Sequence, residues 1–387
     1  MSLPFIAPGA TLGVMGGGQL GRMFVHAAQQ MGYFTAVLDA DPASPAGLVA
    51  QYHIQADYLD EQGLAQLMQR CAAITTEFEN VPAKALVTLG AHRPVAPGAA
   101  AVAVCQDRAA EKRHFERSGV PCAPWARIET AEQLAAVADH LLPGILKTTR
   151  LGYDGKGQVR VADRTALAAA WAALKEVPCV LERLLPLRGE MSVIVARSAA
   201  GEIVHFPVQQ NLHRGGILAV TLVPAPDLSA ELQARAIQAA EQIAEAIEYV
   251  GVLCVEFFVL QDGSLVANEM APRPHNSGHH SIDSCDVSQF DLQVRAMTGA
   301  PLVEPRLHSP CAMLNLLGDL WFRHGEREQS PHWARVLALP GVHLHLYGKA
   351  SARPGRKMGH LTVTAATVAQ AHEVALQVAA VLGIEAW

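Results

Sequence analysis

Two glutamates in one predicted β-hairpin have the clearest potential for chemistry. Residues 255–270 read VEFFVLQDGSLVANEM, and the D-G pair in the middle is typical of a two-residue hairpin turn. That turn places Glu256 opposite Glu269, with Cβ atoms about 4.5–5.5 Å apart. Two like charges there destabilise a hairpin unless a cation binds between them, and carboxylates are ligands that Mg²⁺ prefers. We predict a magnesium site with Asn268 beside it; the alternative is two solvated glutamates at a sheet edge.

The hairpin continues into a segment with basic and imidazole side chains. Residues 270–280 read MAPRPHNSGHH, and two prolines and a glycine predict an ordered loop rather than a helix. Arg273 and His275 are therefore expected close to any metal held by the hairpin. Arginine offers a planar fork for carboxylate or phosphate, and histidine exchanges protons near neutral pH. A zinc site from His275, His279 and His280 is the weaker alternative, and a surface position is expected for His279 and His280.

A second candidate for phosphate binding is the glycine-rich loop of residues 148–157, TTRLGYDGKG, which Lys147 precedes at the end of a predicted strand. Backbone amides in such a loop wrap oxygens, and cationic side chains offset their charge. The loop lacks the G-K-[ST] ending of a Walker A motif. It is either a polyphosphate loop or a solvated β-hairpin.

Glycines near the N-terminus form a third candidate. Gly16, Gly18 and Gly21 spell G-x-G-x-x-G between a predicted strand and a predicted helix, and Asp39 ends the next strand. This spacing is typical of dinucleotide sites, because the backbone approaches an anion at a helix N-terminus. Gln19 in the same loop indicates instead another phosphate or small-substrate site. A tight turn without a ligand is the third interpretation.

The elements that position these residues follow from hydrophobic periodicity. Roughly the first 110 residues alternate strand and helix, which predicts a parallel sheet with right-handed crossovers. Beyond them the pattern is mixed, and no internal repeat marks a domain border. The predicted strands are 11–15, 34–38, 72–76, 144–148, 158–161, 179–182 and 343–347, and the predicted helices are 20–31, 106–118 and 228–249.

Composition narrows the class of protein. A chain of 387 residues, 50% hydrophobic, is expected to form two or three domains. Its net charge of −6, with 17% charged residues, argues against binding to nucleic acid or an anionic membrane. No membrane span and no signal peptide are predicted. Seven cysteines without a C-x-x-C pair indicate reduced thiols and a cytoplasmic protein.

In chain order, these features resemble the ATP-grasp superfamily. More narrowly, the chain is similar to the 5-(carboxyamino)imidazole ribonucleotide synthases of purine biosynthesis. The ATP-grasp resemblance rests on Lys147, 152–157, 180–184, Glu190, Glu256, Asn268 and Glu269. The narrower one rests on GGGQLGRM at 16–23, GYDGKGQ at 152–158, QNLHRGGIL at 210–218, APRPHNSGHH at 271–280 and RPGRKMGH at 353–360.

The resemblance implies an α/β protein with an ATP-grasp fold between two further domains. The N-terminal parallel α/β domain would span 1–110, the ATP-grasp domain 111–300 with a mobile lid at about 120–185, and a small C-terminal domain 301–387. The implied reaction joins bicarbonate to 5-aminoimidazole ribonucleotide, consumes ATP with Mg²⁺, passes through carboxyphosphate and serves purine (IMP) biosynthesis. Homodimers are usual for the family.

The resemblance also implies roles for individual residues. Catalytic roles fall to Tyr153, Asp154, Lys156, Arg273 and His275. ATP would contact Arg108, Lys147, Gly152, Tyr153, Asp154, Gly155, Lys156, Gly157, Gln158, Glu182, Arg183, Leu184, Leu185, Glu190, His213, Asn268 and Glu269. The ribonucleotide would contact Gly18, Gln19, Leu20, Glu77, Lys349, Arg356 and Lys357, and magnesium would be held by Glu256 and Glu269 with Asn276 nearby.

Rival functions remain at this stage. Another ATP-grasp carboxylase or ligase would share the central motifs but should lack the loops at 271–280 and 353–360 as a pair. A nicotinamide-dependent dehydrogenase would explain the N-terminal glycines and leave the hairpin glutamates unexplained. A nucleotide sensor would bind ATP without turnover.

Overall fold

The N-terminal region is the parallel α/β unit that the alternation of strands and helices predicts. The computed structural model describes residues 4–152, 157–323, 325 and 327–387. The first elements are β1 (Thr11–Met15), α1 (Gln19–Gln30), β2 (Phe34–Leu38), β3 (Tyr52–Ile54), α2 (Glu61–Arg70), β4 (Ala73–Thr76), α3 (Ala83–Gly90) and α4 (Ala99–Cys105). The four strands pair in parallel in the order β3-β2-β1-β4. Helices cover the sheet, so its strands are almost wholly buried.

A small antiparallel sheet follows one charged helix. These elements are α5 (Arg108–Arg117), β5 (Trp125–Ile128), α6 (Ala131–Ala135), β6 (Gly144–Thr148), β7 (Gln158–Val161), α7 (Arg164–Ala173) and β8 (Cys179–Arg183). The strand order is β5-β8-β6-β7. Asp107 caps α5, because its side chain accepts hydrogen bonds from the N–H groups of Ala109 and Ala110.

The remainder of the chain forms one large antiparallel sheet with helices packed on it. Its elements are β9 (Leu187–Arg197), β10 (Ile203–His205), β11 (Gln209–Arg214), β12 (Ile217–Val223), α8 (Ala230–Ala246), β13 (Gly251–Leu260), β14 (Leu265–Ala271), α9 (Ser281–Ser284), α10 (Gln289–Thr298), β15 (Cys311–Leu317), α11 (Trp333–Leu337), β16 (Val342–Leu346), β17 (Lys357–Thr364) and α12 (Val368–Leu382). The order is β14-β13-β9-β11-β12-β15-β17-β16, and β10 also pairs with β9. The C-terminal strands therefore extend the central sheet.

The β13–β14 hairpin differs from its prediction in one respect. Its loop has three residues, because the Leu260 N–H donates to Ser264 O at 2.9 Å and Gly263 takes φ +80°. The predicted two-residue turn is wrong. That loop alone would shift Glu269 away from Glu256, but a β-bulge at Asn268 restores the pairing.

Helix α10 connects the N-terminal unit to the large sheet. Its Gln293 side chain accepts the Val252 N–H at 2.7 Å, and it donates to Thr75 Oγ1 and Ala96 O, both at 3.0 Å. Gln293 is 1% exposed, so these bonds lie in a dry interior. Within the described residues, no helix is long and apolar enough to cross a membrane.

Candidate active site

The two hairpin glutamates lie directly opposite each other on β13 and β14. Burial first, and then the charge of Glu269, raise the pKa of Glu256 to about 7. Burial also acts against the charge of Glu269, but Arg108 and Lys147 outweigh it and lower the pKa of that carboxyl. Glu256 is therefore the carboxylate that lacks a sufficient positive partner.

Two amide side chains, one adjacent to Glu269 in the chain and the other adjacent to His275, have unsatisfied polar atoms. Asn268 Oδ1 is buried without a hydrogen-bond partner, and so are both amide atoms of Asn276. Buried polar atoms are normally paired, so an orphaned oxygen next to two carboxylates indicates a place for a ligand. Carboxylate and amide oxygens match the preference of Mg²⁺, and this donor set fits such an ion.

The loop at 270–280 brings His275 against Glu256, whereas Arg273 pairs with Glu79. Glu79 forms an ion pair with Arg273, and the Glu79 carboxylate raises the pKa of the guanidinium against the opposing effect of burial. His275 Nε2 is 3.4 Å from Glu256 Oε1. Burial, followed by the charge of Arg273, holds the pKa of His275 well below its usual value. The imidazole is therefore neutral at neutral pH.

Helix α5 contributes a row of ionisable side chains, of which only Arg108 was predicted from the sequence. Arg108 Nη1 is 3.2 Å from Glu269 Oε2. One turn on, Glu111 Oε1 accepts the Met270 N–H at 2.7 Å, and burial raises the pKa of Glu111 to about 8. Lys112, 1% exposed, completes the row. The i, i+3, i+4 spacing of charges in a predicted helix was the available signal.

Glu182 and Lys147 form a buried ionic cluster with Lys112. Glu182 Oε2 is 2.9 Å from Lys147 Nζ, and Glu182 Oε1 is 3.0 Å from Lys112 Nζ. Burial opposes ionisation of Glu182, but the two ammonium groups lower its pKa to about 2. Burial likewise lowers the pKa of Lys147, against the effect of Glu182. One carboxylate thus orients both lysines.

Residues 182–185, which the family resemblance predicts to contact ATP, continue from this cluster. The N–H groups of Arg183 and Leu184 donate to Pro124 O and Pro143 O, both at 2.9 Å. Leu185 is half-buried beside them. The side chain of Glu182, by contrast, is the centre of the lysine cluster.

Glu190 and His213 meet on the neighbouring strands β9 and β11. Nδ1 of His213 contacts Oε2 of Glu190. Burial alone would lower the pKa of His213, but the carboxylates of Glu190 and Glu256 raise it. The two predicted nucleotide residues are therefore brought together as an ion pair near the hairpin glutamates.

In the N-terminal glycine loop, carboxylate side chains of the protein itself accept the N–H groups that would otherwise bind a ligand anion. Glu77 accepts the N–H groups of Gly18 at 2.9 Å and Gly21 at 3.1 Å, and Asp39 accepts that of Gly17 at 2.7 Å. These are the donors that a dinucleotide pyrophosphate requires. The dinucleotide interpretation therefore does not hold for this loop.

The other residues predicted to contact the substrate differ in the burial and the hydrogen bonds of their side chains. Gln19 is half-buried at the start of α1, whereas Leu20 is buried in the core, so its side chain cannot reach a substrate. Lys349 Nζ donates to Lys357 O at 2.6 Å, and Arg356 Nη1 donates to Ser351 O at 2.9 Å. The charge of Lys357 lowers the pKa of Glu79 and opposes the rise at Glu256, so it reaches the site.

Only the ends of the predicted phosphate loop belong to the described residues. Arg108 Nη2 donates to Gly152 O at 3.4 Å. Gly157 O accepts the Thr148 N–H at 2.9 Å, and Gln158 pairs with Lys147 on β6. Tyr153, Asp154, Gly155 and Lys156 lie outside the described residues.

The predicted surface position of two histidines is wrong. His279 and His280 are 1% and 0% exposed, because the loop folds inward against α10 and β17. Within the described ranges, the only group of three or more His, Cys, Asp or Glu side chains with ligand atoms within 4.8 Å of one another is Asp283, His345 and His360, so the zinc alternative is not supported. The rings of His345 and His360 stack at 4.5 Å and 11°, whereas a metal ion lies in the plane of each imidazole that binds it.

Three family models match consecutive parts of the chain. Residues 9–106 match the ribonucleotide synthetase preATP-grasp domain, residues 113–290 the ATP-grasp domain, and residues 311–374 the phosphoribosylaminoimidazole carboxylase C-terminal domain. The N5-carboxyaminoimidazole ribonucleotide synthase of Brucella melitensis biotype 1 is 45% identical over 360 residues, which are 92% of this chain and 97% of the relative. The chain belongs to the N5-carboxyaminoimidazole ribonucleotide synthase family.

Other members of this synthase family agree in sequence and in fold. The Bacillus subtilis synthase is 41% identical over 94% of this chain and 93% of its own length. The ADP complex of purK superposes with a TM-score of 0.89 at 40% identity, over 97% of both chains. The Aspergillus clavatus synthase, solved with ADP and 5-aminoimidazole ribonucleotide, has a TM-score of 0.87 at 31% identity, over 97% and 98%. The predicted fold class is confirmed, and the chain is an ATP-grasp ligase.

Proposed function

We propose that this chain carboxylates 5-aminoimidazole ribonucleotide with bicarbonate, at the expense of ATP, to give the N5-carboxyamino product, ADP and phosphate. Family membership supports the reaction class. The observation that carries the proposal is the buried pair Glu256 and Glu269, with an orphaned Asn268 oxygen beside it. Such a cluster is built for a cation that accompanies a polyphosphate.

Magnesium would be held by Glu256 and Glu269, with Asn268 and Asn276 close by. When bound, the ion supplies positive charge that neutralises phosphate oxygens during transfer. In its absence, Glu256 binds a proton near pH 7. Of the two hairpin carboxylates, Glu256 is then the one whose negative charge is less compensated by the chain's own cations.

The nucleotide would lie between the small sheet and the large one. Lys147 and Arg108 would meet its phosphates, and Glu182 and Glu269 fix the positions of these cations at 2.9 and 3.2 Å. Residues 182–185 would line the adenine side, and the Glu190–His213 pair the ribose side. The predicted roles of residues 152–158 at the phosphates remain part of this proposal.

The ribonucleotide and bicarbonate would bind on the other side of Glu256. Arg273 and His275 present a fixed guanidinium and a neutral imidazole there. Tyr153, Asp154 and Lys156 are proposed to complete this pocket. Lys349, Arg356 and Lys357 would meet the substrate phosphate, with Gly18, Gln19 and Glu77 near the ribose. For Leu20 only the backbone is available.

The chemistry then needs positioning and charge neutralisation. Bicarbonate oxygen attacks the γ-phosphorus, a new P–O bond forms, and the bond to the bridging oxygen breaks as ADP leaves. The resulting carboxyphosphate releases carbon dioxide and phosphate. The exocyclic amine attacks the carbon of carbon dioxide, a C–N bond forms as one C=O π bond breaks, and the amine loses one proton to the released phosphate. Lys147 and Arg273 offset charge that develops on the transferred groups.

The deciding experiment measures phosphate release from MgATP with bicarbonate and 5-aminoimidazole ribonucleotide, together and singly. We expect release only with both. Glu269→Gln should lose at least ~100-fold in turnover, because a strong electrostatic stabiliser is removed. Glu245→Gln, an exposed carboxylate on α8, is the matched control. Near-normal turnover of Glu269→Gln would contradict the metal assignment, and release without the ribonucleotide would contradict the substrate.

Two features of the whole protein are also proposed: a homodimer and a cytoplasmic location. The first rests on the family resemblance, and the second is consistent with seven unpaired cysteines. Sedimentation should give about twice the 41.3 kDa mass of one chain, and a single-chain mass would contradict the dimer. Recovery of the native protein in a membrane fraction would contradict the location.

A further inference from the structure

His275 caps a short helical turn with its own ring. Its Nδ1 accepts the Ser277 N–H at 3.3 Å, at the start of the 3₁₀ turn Asn276–Gly278. Ser277 Oγ is 2.9 Å from the same nitrogen. A backbone N–H can only donate, so Nδ1 must present its lone pair.

This contact determines the tautomer of the neutral ring. With Nδ1 unprotonated, the proton resides on Nε2, which faces Glu256 Oε1 at 3.4 Å. Nε2 is then a hydrogen-bond donor on the side of the proposed substrates. A donor there fits an anionic oxygen, such as that of bicarbonate or a carboxyphosphate, and it cannot take a proton from the amine.

A buried row of polar side chains supports this tautomer from behind. Ser192 Oγ donates to Ser277 Oγ at 2.8 Å and accepts from Asn211 Nδ2 at 2.9 Å, and Thr221 Oγ1 donates to Asn211 Oδ1 at 2.9 Å. Gln209 Oε1 is the longer alternative acceptor for Ser192, at 3.1 Å. Ser192, Ser277 and Thr221 are all 0% exposed, so no bulk water competes with these bonds.

The strand register explains why the row leads to the site. Ser192 on β9 pairs with Glu256 on β13, and Thr221 on β12 pairs with Asn211 on β11. Each hydroxyl or amide can donate toward the next, from Thr221 to His275. The row has no charged member and no role in the proposed reaction steps.

We propose that Ser277 and Ser192 are positioning residues that hold His275 in the Nε2-protonated tautomer, so that His275 acts as a hydrogen-bond donor to an anionic oxygen and not as a general base. The inference deepens the proposed function and rests on it for the identity of the anion. The tautomer itself rests only on the contacts of Nδ1.

Two measurements test the proposal separately. In the full-length protein labelled with ¹⁵N-histidine, NMR should show His275 with an unprotonated Nδ1 and a protonated Nε2, and His275→Gln identifies the signals by their loss. In kinetics, a glutamine side chain can still place an N–H near the Nε2 position. His275→Gln should therefore keep turnover within about tenfold of wild type, while His275→Ala should lose about 100-fold, as expected for loss of one hydrogen-bond donor to a developing anion.

The supporting row is tested with a matched pair of variants. Ser277→Ala removes one of the two donors to Nδ1 and should shift the Nδ1 resonance and lower kcat about tenfold, with KM for ATP unchanged. Thr362→Val removes an equally buried hydroxyl on β17, outside the row, and should leave both unchanged. A protonated Nδ1 in the wild-type protein, or equal losses in His275→Gln and His275→Ala, would overturn the proposal.

These outcomes are distinct from failure of the proposed function. The NMR result needs no substrate and is obtained on the wild-type protein even if Ser277→Ala does not fold. Absence of phosphate release dependent on bicarbonate and the ribonucleotide would instead reject the proposed reaction and leave the tautomer standing.

Discussion

At the residue scale, burial acts to raise the pKa of both hairpin glutamates, but the net pKa shift is upward for Glu256 and downward for Glu269. Glu269 has Arg108 at 3.2 Å, whereas Glu256 has the neutral His275 at 3.4 Å, and the charges of His213 and Lys357 offset only part of the rise in its pKa. Glu269 therefore stays ionised and Glu256 titrates near pH 7. A proton and a cation compete for Glu256, so we expect magnesium affinity to fall as the pH drops below about 7.

Glu256→Gln should stabilise the protein without ligands. The folded-state pKa is about 7, above the ordinary value of 4.5, so the ionised group opposes folding at high pH. The stabilisation should reach at most about 3 kcal/mol at pH 8, from ~1.36 kcal/mol for each unit by which the folded-state pKa lies above 4.5. It should shrink as the pH falls from 7 toward 4.5, where the folded protein takes up the proton. Urea denaturation at pH 8 and 5.5 measures it.

The same variant should lose magnesium-dependent turnover, so stability and activity change in opposite directions. Glu202→Gln, an exposed glutamate, is the control that should change neither. Equal stabilisation at both pH values would contradict the assigned pKa of Glu256.

At the element scale, α5 joins the two halves of the site. Arg108, Glu111 and Lys112 lie on one helix face, and they contact Glu269, the Met270 backbone and Glu182. A rigid helix that contacts both clusters fixes the position of Glu269, a proposed metal ligand, relative to Lys147, a proposed phosphate contact. The bulge at Asn268 has a similar role, since it alone brings Glu269 opposite Glu256.

Lys112→Met should weaken nucleotide binding without touching the nucleotide. Glu182 would keep only Lys147 as a partner, so the orientation of Lys147 and the stability of the cluster should both suffer. We expect a loss of about 1.5–3 kcal/mol, the range for a hydrogen bond to a charged group, and a higher KM for ATP. Lys84→Met, on the exposed face of α3, is the control. Unchanged stability and KM in Lys112→Met would show that Lys147 alone suffices.

At the scale of the whole molecule, one buried amide links the N-terminal unit to the large sheet. Gln293 bonds β13, β4 and the backbone at Ala96 from within α10. Because the proposed ribonucleotide site draws residues from both sides of this contact, its geometry depends on the linkage.

Gln293→Met should lower the free energy of unfolding by about 2–3 kcal/mol, since a buried donor or acceptor left unpaired costs about 1–3 kcal/mol. Chemical denaturation measures this loss, and Gln238→Met on the exposed face of α8 is the control. A larger rise in KM for the ribonucleotide than for ATP is expected. Wild-type stability in Gln293→Met would contradict the proposed linkage.

The sequence by itself determined the fold class, most elements and the identity of the paired glutamates. Strands β1, β2, β6 and β7 have the predicted bounds, because alternation and turn residues are local signals. The family motifs likewise identified Lys147, Arg273 and His275. Helix 228–249 was predicted a few residues too long at each end, since apolar periodicity continues past the cap at Ser229.

Only the tertiary structure decided which carboxylate takes up a proton near pH 7, which lysines pair with Glu182 and which groups bond to the Gln293 amide. The hairpin prediction reached the right pairing through a wrong turn, because the bulge at Asn268 depends on neighbouring strands. His279 and His280 are buried by α10, which follows them closely, and by β17, about 80 residues further on, and Glu77 occupies the glycine loop from 56 residues away. Such contacts depend on the packing of remote elements, and local patterns contain no record of them. The sequence thus predicts the metal site at Glu256 and Glu269, and the fold alone sets the pKa values of the two carboxyl groups.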